Sequence, residues 1–161
     1  MLRVFHGEEI SHTANDLRPT IRQCIKHWQP TLTQRGCKLT VDLSGSMPVL
    51  CQAEDTHALI QGMFDLTVSR LADGGELSVV GCRGANTIEL EIADSGYQVN
   101  CEVRYDRKFF PPRAVLSDRR LTLLQTLAQS FQGRIWATPC PQGGMAWTLR
   151  LPSRVATRRA A

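Results

Sequence analysis

Asp94-Ser95-Gly96, which closes an alternating run ending in Ile92-Ala93, is the stretch of this chain best equipped for chemistry. A carboxylate at such a turn can accept a hydrogen bond from the exocyclic amine of a base such as adenine. A glycine two places on lets the backbone pass close to a flat ring. The same tripeptide also serves as an ordinary strand-to-turn exit, so its meaning depends on its surroundings. Arg104, Arg107, Lys108, Arg113, Arg119 and Arg120 follow it in sequence. Guanidinium groups suit phosphate oxygens, which makes Arg119 and Arg120 candidates for a phosphate side of the site. The plainer reading is that these cations coat an exposed loop.

Other chemistries find little support. The six cysteines (24, 37, 51, 82, 101 and 140) stand at least thirteen positions apart. That leaves no Cys-x-x-Cys pair and no zinc spacing, and they read as buried or half-buried free thiols in a reducing compartment. No Ser-His-Asp order or nucleophile elbow occurs. His6, His27 and His57 lack acid or nucleophile neighbours and read as structural. His12 reads as a capping or surface residue rather than a phospho-acceptor. No metal ligand is assigned.

The elements that would position Asp94 can be placed from periodicity. Residues to about His12 read as an extended lead-in. Thr13, Asn15 and Asp16 offer capping oxygens for a helix with apolar residues at 17, 21, 24, 25 and 28. Pro30 should kink or restart that helix, and Gly36 should stop it. Lys38–Leu43 alternates like a half-buried strand, and Val49–Cys51 is a short one. Glu54–Leu71 has a wide apolar face and ends at Asp73-Gly74-Gly75. Glu76–Cys82 and Thr87–Ala93 form an antiparallel hairpin. Residues 97–117 lack periodicity and form a long loop. A third helix carries Leu121, Leu124, Leu127, Ala128 and Phe131, with Gly133 as its stop. Strands at Arg134–Thr138 and Met145–Leu151 close the chain.

The 161 residues suit one domain with a real core, assigned to residues 1–152, followed by a basic tail, 153–161, expected to be disordered. Net charge is +4, from 16 Arg and 3 Lys against 15 acids, an ordinary solvated balance that does not argue for nucleic acid. No apolar run approaches the roughly 20 residues that cross a bilayer, and no secretory leader is evident. The expectation is a cytoplasmic protein without a membrane partner.

The ordered set of these elements resembles the ATP-binding domain of sensor histidine kinases and, more broadly, the GHKL ATPase and kinase superfamily. The resemblance covers roughly residues 9–152. It rests on Gln29–Val41 as first helix and strand, Gly74-Gly75 after the second helix, and Asp94-Ser95-Gly96 as the first half of the family's Asp-x-Gly-x-Gly box. It continues through Leu121–Gly133 and closes on Gly143-Gly144 and Leu151-Pro152. It implies an α/β two-layer sandwich, a mixed and mostly antiparallel sheet with three helices on one face.

The departures from that pattern bear on function. Where the family carries a magnesium-holding asparagine, the alignment puts Leu66, with Gly62 one turn earlier. Asp65 is one place away, but one place turns a helical side chain by roughly 100°. Gln98 replaces the second glycine of the adenine box, and Ser117–Leu121 stands where a glycine-rich phosphate loop is expected. Met145-Ala146 replaces a threonine pair of the adenine pocket. The resemblance therefore implies a degenerate, non-catalytic regulatory or interaction module of bacterial-type signalling. Its partner would be a signalling protein such as a response regulator, kinase or sigma factor, with a homodimer also open. No cofactor is expected on that reading. The alternatives are an ATP-binding kinase or ATPase of anti-sigma-factor-kinase type, using ATP with magnesium at an unusual site through Asp94 and Gly96, or a structural protein on the same scaffold.

Overall fold

A computed structural model describes residues 15–96, 119–140 and 143–153. The lead-in, the 97–117 loop and the basic tail of the sequence reading lie outside these residues, apart from Ser153. The chain runs β1 (Asn15–Asp16), α1 (Leu17–Gln34), β2 (Lys38–Leu43), β3 (Pro48–Val49), α2 (Ala53–Val68), β4 (Glu76–Arg83) and β5 (Thr87–Asp94). After the gap come α3 (Arg119–Ser130), β6 (Arg134–Pro139) and β7 (Met145–Pro152).

Five strands make one sheet in the order β2-β4-β5-β7-β6. Only β2 and β4 are parallel, and the other three pairings are antiparallel. The short β1 and β3 form a separate antiparallel pair. Strand alternation sends Leu77 and Val79, Ile88, Leu90 and Ile92, and Trp147 and Leu149 to one face. There they meet the apolar stripes of the helices, led by Leu59, Ile60, Met63, Phe64 and Leu66 of α2. The expected sandwich is thus the observed one.

Asp16 starts α1, its Oδ1 accepting from the Arg18 backbone N at 3.0 Å. The same oxygen accepts from Met47 N at 3.3 Å, which ties the helix start to the approach to β3. Contrary to expectation, α1 does not restart at Pro30. The hydrogen bond that proline forfeits would have gone to the carbonyl four residues back, at Lys26, where the helix is exposed and water can serve. Beyond it, fully buried Leu32 and the bond from Cys37 N to Leu32 O (2.9 Å) keep the last turn seated.

Smaller differences follow from tertiary position. Val41, on the apolar stripe of the alternating Lys38–Leu43 strand, is 46% exposed, because β2 is an edge strand. The residue in the left-handed region at the end of α3 is Gln132 (φ 58°), not Gly133. Of the five described cysteines, all free thiols, Cys82 is exposed rather than half-buried. Burial pushes the Cys24 and Cys51 thiols up to about 11, so both behave as small protonated hydrophobes. Among the described residues no helix is long and apolar enough to cross a membrane.

Candidate functional site

Asp94 is the last residue of β5 and lies on the helix-facing side of the sheet, two places beyond Ile92. Only 3% of the residue is exposed. One carboxylate oxygen, Oδ1, accepts from Gly96 N at 2.8 Å. The other, Oδ2, is buried and has no hydrogen-bond partner among the described residues. Burial pushes the Asp94 carboxyl above the usual range, and the Gly96 N–H, the Arg70 charge and the Met145 N–H pull against that rise. A buried acceptor left open in this way fits an N–H donor such as the exocyclic amine of adenine.

The turn holding Asp94 is locked by two glycines in the left-handed region, Gly96 (φ 74°) and Gly144 (φ 81°). A Cβ on Gly144 would overlap the Asp94 carbonyl oxygen and lie 2.6 Å from Oδ1. A Cβ on Gly96 would lie 2.5 Å from Gly144 N. The β5 exit and the β6–β7 turn are therefore pressed backbone to backbone. Gly96 makes room for another strand end in addition to any ligand. The sequence reading used Gly144 only as part of the closing hairpin. Its Gly-Gly context was the available signal, but the contact joins residues fifty positions apart.

The C-terminal end of α2 packs against the same turn. A Cβ on Gly75 would lie 2.8 Å from Leu71 Cδ1 and 3.3 Å from Ser95 Oγ. Ser95 Oγ in turn accepts from Glu76 N at 2.9 Å. Arg35, just past α1, holds this segment: Nη1 donates to Val68 O (3.2 Å), Nη2 to Leu71 O, and Nε to Asp73 Oδ1 (2.7 Å). Between the two clamped carbonyls stands Arg70, whose Nε is buried and without a partner among the described residues. Neither Arg35 nor Arg70 was singled out from sequence, because neither pattern nor motif marks them.

The metal and phosphate half is built differently. Leu66 is 1% exposed and belongs to the core. A Cβ on Gly62, one turn earlier, would lie 2.5 Å from Leu124 Cδ2, so α3 seats a leucine directly on α2. Asp65 accepts from Gln61 Nε2 at 3.1 Å. Its charge adds to the effect of burial on the Cys24 thiol, which places it toward α1. Among the described residues no group of His, Cys, Asp and Glu could hold a metal ion. At positions 62 and 66 the described residues supply hydrocarbon packing rather than an oxygen ligand. Arg119 and Arg120 stand exposed on the first turn of α3. Structure thus brings Asp94 and Gly96 together and leaves the two arginines on a solvent-facing helix start.

No protein-family model matches the chain, and no curated protein matches it. Solved structures do. The catalytic domain of histidine kinase ThkA superposes with a TM-score of 0.68 at 11% identity, over 88% of this chain and 96% of that one. This chain has the fold of a histidine-kinase catalytic domain. The mycobacterial sensor histidine kinase MprB gives 0.66 at 18% identity, over 89% and 98%. Full-length ShkA, solved in complex with AMPPNP, gives 0.69 at 18% identity over 95% of this chain and 34% of that one. ThkA is also matched in its complex with response regulator protein TrrA, at 0.69 and 9% identity over 91% and 43%. In the histidine-kinase fold so assigned, Asp94 and the α2–α3 contact lie on the helix-facing side of one sheet.

Proposed function

We propose that this chain is a non-catalytic member of the histidine-kinase fold, acting as a regulatory or protein-interaction module in bacterial-type signalling. The observation that carries the reading is Leu66, buried in the core at the position where the resemblance calls for a metal-holding asparagine. Leu124 against Gly62 adds to it, because apolar packing occupies the adjoining turn of α2. Phosphoryl transfer depends on a metal or fixed donors to neutralise developing charge, and an apolar helix contact supplies neither. The partner on this reading is a signalling protein, a response regulator, kinase or sigma factor. ThkA offers the precedent of such a fold bound to a response regulator.

A second reading, nucleotide binding at an atypical site, is favoured by one feature. Asp94 Oδ2 is a buried acceptor without a partner among the described residues. ATP or ADP would then be held by its base, with Gly96 shaping the turn, and magnesium would contribute nothing.

Calorimetry and thermal shift with ATP and ADP, each with and without magnesium, test both. A ligand at 100 times its Kd stabilises the native state by about 2.7 kcal/mol. The first reading expects no ADP formation, no phosphorylated chain and no effect of magnesium. A magnesium-dependent shift of that size, abolished by Asp94→Asn, would overturn it.

A further inference from the structure

Among the described residues, β2 pairs with β4 alone and leaves its other side open. The bonds at its two ends fix which groups line that open side. Lys38 N donates to Gly75 O and Ser44 N to Gly81 O, both at 2.9 Å. Backbone groups alternate sides along a strand, so the even positions from 38 to 44 point at β4. The N–H and C=O groups of Leu39, Val41 and Leu43 therefore point outward, a template for another strand. Nothing within β2 blunts that edge, since its six residues run in register with β4 without a proline or a bulge. Leu39 and Leu43 lean on the core, whereas Val41 between them is the exposed apolar residue of the same face. Lys38, Thr40 and Asp42 stand exposed on the opposite face.

We propose that β2 is a homodimer seam, pairing antiparallel with β2 of a second copy across a twofold axis at Thr40. The residue order selects this occupant, because the strand is complementary to its own reverse. Centred on Thr40, the pairing sets Lys38 beside Asp42 of the second copy and Asp42 beside Lys38 of the second copy. Leu39 and Val41 then oppose each other and exchange both their N–H···O=C bonds, as their outward groups require. Thr40 meets its own copy on the axis. A pairing centred on Val41 keeps the bonds but sets Asp42 against Thr40 and Lys38 against Ser44, without an ion pair. The exposed Val41 gains an apolar neighbour in Leu39 of the second copy. Glu76, which binds Lys38 at 3.1 Å, lies on the β4 side, so the ammonium would stand between two carboxylates. An axis normal to the sheet keeps both helix layers on one side and joins the sheets edge to edge. The seam is one strand wide, which places the dimer among weak, transient ones sensitive to salt. It needs neither nucleotide nor a signalling protein.

Sedimentation of the full chain at concentrations up to about 1 mM tests the seam. A dimer is expected, with a Kd that rises with salt. Lys38→Asp and Asp42→Lys each set like charges against each other across the seam, and each should raise the Kd about tenfold. An equimolar mixture of these two variants restores the opposite-charge pairs and should associate as heterodimers near the wild-type Kd. Val41→Pro removes an outward N–H while leaving the β4 ladder whole, so it should abolish the dimer at an unchanged circular dichroism spectrum. A chain that stays monomeric at the highest concentration overturns the proposal. So does a dimer whose Kd neither charge variant moves, since another surface then holds it. A mixture no tighter than its two components also overturns it, because the register at Thr40 is then wrong. Should Val41→Pro fail to fold, the charge variants and their mixture decide by themselves.

Discussion

Asp94 and Gly144 determine the site at the scale of single residues. Burial favours the protonated acid at Asp94, so its folded pKa stands above the unfolded value near 3.9. Between those two values the native state holds a proton that the unfolded chain has released. Stability therefore falls as pH rises through that window. Asn does not titrate, and its amide oxygen can still accept from Gly96 N. The urea midpoint of Asp94→Asn should gain on that of the wild type as pH rises from about 4, then level off once Asp94 is ionised. A difference that stays constant with pH would refute the account. Gly144→Ala meets backbone, not a flexible side chain, at a φ of 81°. It should cost at least about 1 kcal/mol, read as a lower melting temperature, with no compensating rotamer available.

At the scale of elements, α1 and α2 depend on different ends. Asp16 caps α1, and the Arg18 side chain bonded to it holds its carboxyl below the usual range. Asp16→Ala should cost about 1 kcal/mol, measured by urea denaturation. Here the folded pKa is the lower one, so the contribution is present above the unfolded value. It is lost as pH falls through the folded one. For α2 the middle matters most. Leu66→Asn would restore the ligand type the resemblance calls for, but in a core with no described partner for an amide. It should lower stability by about 2–5 kcal/mol in chemical denaturation, through lost packing and an unanswered polar group. A variant as stable as the wild type would mean that position 66 opens to a wet cavity. The end of α2 also shows what pattern reading misses. Apolar spacing ran to Leu71, yet the helix stops at Val68, where Arg35 from beyond α1 takes the carbonyls of Val68 and Leu71.

At the scale of the molecule, the five-stranded sheet with the three described helices on a single face leaves the functional options of the described residues in the helix layer and at strand ends. The α2–α3 contact through Gly62 and Leu124 fills with hydrocarbon the neighbourhood where charge would have to be managed. Magnesium should therefore leave the unfolding temperature unchanged whether or not nucleotide is present, and a differential scanning calorimeter would show any departure. Partner binding, on the same reasoning, should need no nucleotide.

Element order, strand alternation and the strand-to-turn exit at Asp94 were legible in the chain, because they follow from period and from local turn chemistry. The departure at Leu66 was legible for the same reason, since a helix register can be counted. Tertiary structure alone decided that Gly144 presses on the Asp94 carbonyl and that Arg35 clamps the end of α2. It also decided that Asp94 Oδ2 is buried with no hydrogen-bond partner among the described residues. Those are contacts between residues far apart in sequence, and no local pattern encodes which backbone will meet which once the sheet has formed.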